Sequence, residues 1–142
     1  MQDLRRLCVD CFPQSETRSG IMDRLDRIIG ILSANEIDGE LWIDGSFLTR
    51  KVDPEDVDLV LRLESDFVER QTCEQGEIIN WFNGNLRGSY RCDSYVHVEF
   101  QESHPNHWFG QWMRAYWMRQ WGFDRDGGMK GIGVIELSGV QG

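Results

Sequence analysis

Two aspartates, Asp56 and Asp58, have the types and spacing that most directly indicate chemistry in this chain. Apolar residues occupy every second position from Val57 to Leu63, which predicts a β-strand. Residues two apart on a strand project from one face, about 6.5–7 Å apart along the chain. Carboxylates held this close repel each other unless a cation lies between or beside them. The pair therefore predicts a site for a hard divalent ion, Mg²⁺ or Mn²⁺, which binds oxygen ligands.

Three further residues extend this predicted site. Glu99, between Val98 and Phe100 on a later alternating segment, is a candidate third carboxylate. Gly45-Ser46 ends the segment that precedes the aspartate pair. A glycine lets the backbone approach a phosphate closely, and a serine offers its hydroxyl and its N–H. Carboxylates, metal ions and a phosphate-binding turn together are typical of phosphoryl or nucleotidyl transfer.

Basic and imidazole side chains supply weaker candidates. Arg125 and Lys130 lie in a glycine-rich turn, where either is a candidate nucleotide-binding residue or an ordinary solvated charge. His97 faces the same way as Glu99 and either contacts a nucleotide, accepts a proton or is a hydrogen-bonded strand histidine. His104 and His107 flank a Pro-Asn turn, where a solvated loop is favoured over metal binding.

The cysteine pattern favours free thiols. Cys8 and Cys11 form a single C-x-x-C, which is half of a zinc site at most, and the other two cysteines lie far away. A zinc deaminase would need a P-C-x-x-C downstream of the His97-Val-Glu99 segment, and this chain has its C-x-x-C upstream.

Hydrophobic spacing divides the chain into helices and strands. Apolar residues at three- and four-residue steps predict a helix from about Ser19, as N-cap, to Ala34. Period-two alternation predicts strands, and mixed or aromatic stretches predict further helices. The predicted strands are 40–44, 57–63, 95–100 and 132–137, and the predicted helices after the first are 66–82, broken at Gly76, and 106–123. This order predicts an α+β (mixed α/β) fold with helices packed on a small sheet, as one domain over 19–142 after an N-terminal segment, 1–18.

The aromatic helix is expected to be largely buried. Its large side chains are Trp108, Phe109, Trp112, Met113, Tyr116, Trp117 and Met118. At this density a core position or an interface, with a partner protein or a second copy, is favoured over stacking of a nucleic-acid base.

Composition limits the classes of partner. The chain has 142 residues, 40% hydrophobic and 27% charged, and a net charge of −9, which suits one globular domain. An acidic surplus argues against broad binding of duplex DNA, because phosphate contacts require a basic face. The sequence contains no apolar run near the ~20 residues of a membrane span and no secretory leader pattern, so a cytoplasmic protein is expected.

At the residues of the predicted site the chain resembles the nucleotidyltransferase superfamily. The superfamily signature is a strand ending in Gly-Gly or Gly-Ser, a short spacer, and an acidic pair on the next strand; Gly45-Ser46 and the Asp56-Val57-Asp58 segment match it. The resemblance spans residues 40–100 and implies that Asp56, Asp58 and Glu99 are metal ligands and catalytic residues, with Ser46 at the triphosphate. The third acid of the superfamily is usually an aspartate, whereas Glu99 is a glutamate.

The resemblance implies a metal-dependent enzyme that moves a nucleoside monophosphate from a nucleoside triphosphate to a protein or tRNA acceptor. Small members of the superfamily act in toxin–antitoxin or defence modules, and the acidic charge favours a protein acceptor. The alternative is a catalytically inactive module with the same fold, used as a nucleotide sensor or as a protein-interaction partner.

Overall fold

The fold is an α+β domain whose sheet has the predicted strands as neighbours. The computed structural model describes residues 1–122 and 131–138. Within them the sheet contains four strands: β1 (Gly39–Asp44), β2 (Val57–Glu64), β3 (Cys92–Glu99) and β4 (Gly133–Leu137). Their order in space is β3-β2-β1-β4. The predicted fold class is confirmed.

Strand directions follow from the connections. β1 pairs antiparallel with both β2 and β4, while β2 and β3 are parallel. A parallel pair requires a crossover connection, and three helices supply it: α3 (Ser65–Arg70), α4 (Cys73–Asn83) and α5 (Arg87–Tyr90). Because β2 and β3 run the same way, the residues that begin both strands lie at the same edge of the sheet.

One face of the sheet carries the main core. A 17-residue helix, α2 (Arg18–Ala34), lays its apolar stripe on this face. Fully buried residues from the helix and strands meet there: Ile21, Met22, Leu25, Ile28, Leu32, Leu41, Ile43, Leu59, Leu61 and Leu63. Each such side chain contributes roughly 1.5–3 kcal/mol relative to exposure. The N-terminal segment, with a short helix α1 (Gln2–Arg5) and a π-helical turn (Arg6–Asp10), joins this core through buried Cys8.

Two predicted helix boundaries were wrong. α2 begins at Arg18 with Thr17 as N-cap, so Ser19 lies inside the helix. The break in the 66–82 stretch falls before Cys73, where Thr72 and Gln75 form a reciprocal capping box, and Gly76 lies within α4. The capping box satisfies two helix-end N–H groups, and this local gain decides where the helix starts.

The second face of the sheet is only partly covered, by α6 (His107–Trp121). Trp117 and Trp121 pack with Trp42 and Val60 in a second, smaller core. The expectation of a largely buried aromatic helix was wrong, because only one stripe of α6 meets the sheet. The large side chains outside that stripe are exposed: Trp108, Phe109, Trp112, Tyr116 and Met118. Within 1–122 and 131–138, no helix is both long and apolar enough to cross a membrane.

Candidate active site

A row of three aspartates crosses the second face of the sheet at one edge. Asp44 of β1 is the register partner of Asp58 of β2, and Asp58 is the register partner of Asp93 of β3. Neighbouring strands lie about 4.7–4.9 Å apart, so partners in register point the same way and lie side by side. Asp56, two residues before Asp58, immediately precedes β2 and extends the row beyond the sheet edge. We call Asp44, Asp58 and Asp93 the aspartate row.

The Gly45-Ser46 turn follows β1 directly at this edge. Gly45 has φ +88° and ψ −171°, a conformation available essentially to glycine alone. A 3₁₀ turn, Ser46–Leu48, comes next, and the Ser46 carbonyl accepts hydrogen bonds from the N–H and the hydroxyl of Thr49. The turn brings backbone close to the aspartate row, as a phosphate-binding role requires.

Arg18 holds the loop that continues from this turn. Its side chain is fully buried, and its guanidinium donates hydrogen bonds to the carbonyls of Cys8, Phe47, Thr49, Lys51 and Val52. Burial lowers the pKa of Arg18. The helix-period pattern did not identify this residue, and no local sequence signal distinguishes a buried arginine from an exposed one at the start of a helix.

Arg87 of α5 links two of the carboxylates. Its Nη2 lies 3.1 Å from Oδ2 of Asp56, and its Nη1 lies 3.3 Å from Oδ2 of Asp93. The arginine side chain is 62% exposed. An exposed, solvated cation therefore balances part of the negative charge of the site.

The buried thiol of Cys92 lies in the electrostatic field of three carboxylates of the site. Burial raises the pKa of the Cys92 thiol to about 12, Arg24 opposes this, and the negative charges of Asp56, Asp93 and Asp58 raise it further. Three carboxylates thus act on one buried atom at the start of β3. This field is what a bound cation would neutralise.

Glu99 does not belong to this cluster, and its assignment as third carboxylate is corrected. It is the register partner of Glu64 and lies six residues beyond Asp93 on β3, about 20 Å at the usual rise per strand residue. Its carboxylate accepts hydrogen bonds from Arg62 (3.3 Å) and from Arg114 (3.0 Å). Burial acts to raise the pKa of Glu99, but these arginines outweigh it and the pKa is lowered.

His97 lies in the same ion network. It is buried, and its Nε2 is 3.3 Å from Oε2 of Glu99. Burial lowers the pKa of His97 although Glu99 opposes the shift. Among the interpretations considered for this residue, the geometry supports a hydrogen-bonded strand histidine that lies away from the aspartate row.

The remaining candidates lie elsewhere. His104 Nε2 lies 3.5 Å from Glu69, and His107 Nδ1 lies 2.8 Å from the Phe100 carbonyl. Cys8 is buried and Cys11 exposed, and both are free thiols. Arg125 and Lys130 lie outside the described residues.

Carboxylate oxygens are the ligand type that a hard divalent cation prefers, but the aspartates of this site are not arranged as a metal site in the described structure. Over residues 1–122 and 131–138, no three His, Cys, Asp or Glu side chains stand grouped as they must be to hold a metal ion. Asp56 and Asp93 instead face Arg87. An all-oxygen set of the kind Mg²⁺ prefers would require both carboxylates to turn from the guanidinium toward Asp58.

Comparison with known proteins places the chain in a family. It belongs to DUF6932, a family of unknown function, and the match covers residues 1–136. No curated protein and no solved structure gives a significant match.

Proposed function

We propose that this member of DUF6932 is a metal-dependent nucleotidyltransferase. It would move a nucleoside monophosphate from a nucleoside triphosphate to a hydroxyl-bearing acceptor and release pyrophosphate. The observation that carries the proposal is the register that sets Asp44, Asp58 and Asp93 side by side, next to the Gly45 turn. The superfamily resemblance of the Gly45-to-Asp58 stretch supports the same reaction.

Three of the carboxylates have a role in this proposal. Asp56, Asp58 and Asp93 hold Mg²⁺ or Mn²⁺, which when bound supplies positive charge to the phosphate oxygens. Asp93 takes the place first given to Glu99, in agreement with the superfamily's usual third aspartate. Asp93, on the outermost strand of the sheet, also accepts the proton of the attacking hydroxyl.

The phosphates are bound by backbone and by cations of the chain. The N–H groups of the Gly45-Ser46 turn and the Ser46 hydroxyl donate to phosphate oxygens. Arg87 is exposed, and in this proposal it leaves Asp56 and Asp93 to pair with a phosphate oxygen. This exchange would free the two carboxylates for the metal as the nucleotide enters.

We propose that the acceptor is a protein. The net charge of −9 disfavours long nucleic acid, so a protein acceptor is favoured over a tRNA end. Only the superfamily resemblance supports a role in a toxin–antitoxin or defence module.

Label transfer tests the reaction. Purified protein is incubated with each α-³²P-labelled nucleoside triphosphate, Mg²⁺ or Mn²⁺, and host extract, and labelled protein and RNA are separated. Wild type should label an acceptor. Asp58→Asn, which keeps the size of the side chain and removes its charge, should lower labelling about 100-fold or more. Glu99→Gln is the matched control and should retain activity. Equal labelling by wild type and Asp58→Asn would refute the proposal.

A non-catalytic nucleotide-binding module is the second candidate function. The pairing of Arg87 with Asp56 and Asp93 favours it, because this pairing balances carboxylates without any metal. Such a module would bind a nucleoside triphosphate in the presence of EDTA and show no labelling with any of the four nucleotides. Metal-dependent binding together with label transfer would exclude it.

A further inference from the structure

A cavity lined by three indole rings lies between the sheet and α6. Its volume is about 410 Å³, within the roughly 300–1,000 Å³ typical of small-molecule sites. Trp42 of β1 and Trp117 and Trp121 of α6 contribute the rings, and Glu40 and Arg114 are its charged lining residues. The metal-dependent chemistry proposed above uses none of these five side chains.

The cavity adjoins the aspartate row. Trp42 and Asp44 are two residues apart on β1 and therefore share a face, about 6.5–7 Å from each other along the strand. On β2, Val60 is the register partner of Trp42 and is likewise two residues from Asp58, on the same face of the sheet. A ligand with one end at the aspartate row thus has the cavity within reach of its other end.

The lining suits a flat heterocycle with both donors and acceptors on its edge. The face of an indole ring can stack on any nucleobase, because every base has an aromatic face. The Glu40 carboxylate is an acceptor, oriented by a 2.9 Å hydrogen bond from Nε1 of Trp42. The Arg114 guanidinium is a donor, anchored by its 3.0 Å bond to Glu99. Nucleobases present N–H groups to a carboxylate and ring nitrogens or carbonyls to a guanidinium.

We infer that this cavity binds the base of the nucleoside triphosphate whose phosphates lie at the aspartate row. The inference rests on the function proposed above, because the position of the phosphates determines where the base of the same nucleotide must lie. In a nucleotide a single ribose joins the base to the α-phosphate, which matches two adjoining subsites on one sheet face.

Calorimetric titration with two probes separates the base from the phosphates. Inorganic tripolyphosphate with Mg²⁺ reports the aspartate row alone, and non-hydrolysable analogues of the four nucleoside triphosphates with Mg²⁺ report both subsites. Wild type should bind at least one analogue at least tenfold more tightly than tripolyphosphate. Trp117→Leu should weaken analogue binding about tenfold or more, since one base–aromatic stack is worth that much, and should leave tripolyphosphate affinity within about twofold.

Two further variants guard against loss of folding. Met118→Glu changes an exposed residue at the rim of the cavity and should also weaken the analogue selectively. Trp108→Leu makes the same change as Trp117→Leu at an exposed position outside the cavity on the same helix, and should alter neither affinity. Equal binding of analogue and tripolyphosphate, or selective loss in Trp108→Leu but not in Met118→Glu, would overturn the base site while the proposed function stands. Binding of neither probe by wild type would overturn both.

Discussion

Oδ2 of Asp58 lies 2.5 Å from the point that a Cβ atom would occupy on Gly45. Real Cβ atoms essentially never approach another heavy atom so closely. The end of β1 and the start of β2 are thus packed so tightly that the turn residue can carry no side chain. Both the positive φ of Gly45 and this contact require glycine, and the contact is made by a carboxylate that is proposed to bind the metal.

Gly45→Ala should destabilise the protein by about 1–3 kcal/mol, from backbone strain and displacement of Asp58. It should also weaken metal-dependent nucleotide binding. Urea unfolding and calorimetry measure the two effects. Gly30→Ala is the control, because a Cβ there meets nothing within 4 Å in the middle of α2; it should stabilise by roughly 0.5–1 kcal/mol. A Gly45→Ala protein as stable as wild type would contradict the close packing.

Asp93→Asn and Glu99→Gln should separate the two candidate third carboxylates. Mn²⁺ with a nucleoside triphosphate should raise the melting temperature of wild type, because a ligand that binds only the folded state stabilises it. Asp93→Asn should lose most of this gain, and Glu99→Gln should keep it even though its own melting temperature is lower. The reverse result would return Glu99 to the metal site and refute the register of β2 with β3.

Arg18→Met should cost about 3–5 kcal/mol, because it leaves several buried carbonyls without their donor. Arg18→Lys should recover only part of this, since an ammonium cannot reach as many carbonyls as the guanidinium does. Arg27→Met, an exposed arginine of the same helix, should change stability by no more than about 0.5 kcal/mol. Similar losses for Arg18 and Arg27 variants in urea unfolding would count against the anchoring role.

Stability should fall on the acid side of neutrality. The pKa of His97 is lowered from 6.5 by burial, so the unfolded chain binds a proton there before the folded protein does. The pKa of Glu99 is lowered from 4.5 because its arginine partners outweigh burial. Both groups therefore stabilise the fold above their unfolded pKa values, and this stabilisation is lost as pH falls through their folded values.

Urea unfolding from pH 8 to pH 3 checks this dependence. Wild type should lose stability below about pH 6.5, the ordinary pKa of a histidine. It should lose stability again below about pH 4.5, the ordinary pKa of a glutamate. His97→Gln should remove the first decline and Glu99→Gln should reduce the second. Unchanged profiles in both variants would show that other groups govern acid unfolding.

Tryptophans on opposite sides of α6 should differ in their contribution to stability. Trp117 is 8% exposed and Trp112 is 61% exposed. Trp117→Ala should cost about 3–5 kcal/mol, and Trp112→Ala less than about 1 kcal/mol. Equal losses, measured by urea unfolding at micromolar concentration, would mean that the exposed side of α6 is covered in solution, and sedimentation velocity would then show an assembly.

Local patterns in the sequence determined the strands, the long helices and the acidic pair. Alternation and helical spacing are properties of neighbouring residues, so β2 and α2 could be predicted without knowledge of their partners. The same holds for Gly45-Ser46 and the Asp56 and Asp58 pair, whose significance depends on a short stretch of chain.

Only the tertiary structure decided which acid completes the site. Asp93 and Glu99 lie on the same face of β3, and the alternating pattern is identical for either choice. The parallel pairing of β3 with β2 sets Asp93, not Glu99, opposite Asp58. Likewise, a buried side of α6 and a buried Arg18 depend on what packs against them. Register and packing are long-range relations between segments, and a one-dimensional pattern does not contain them.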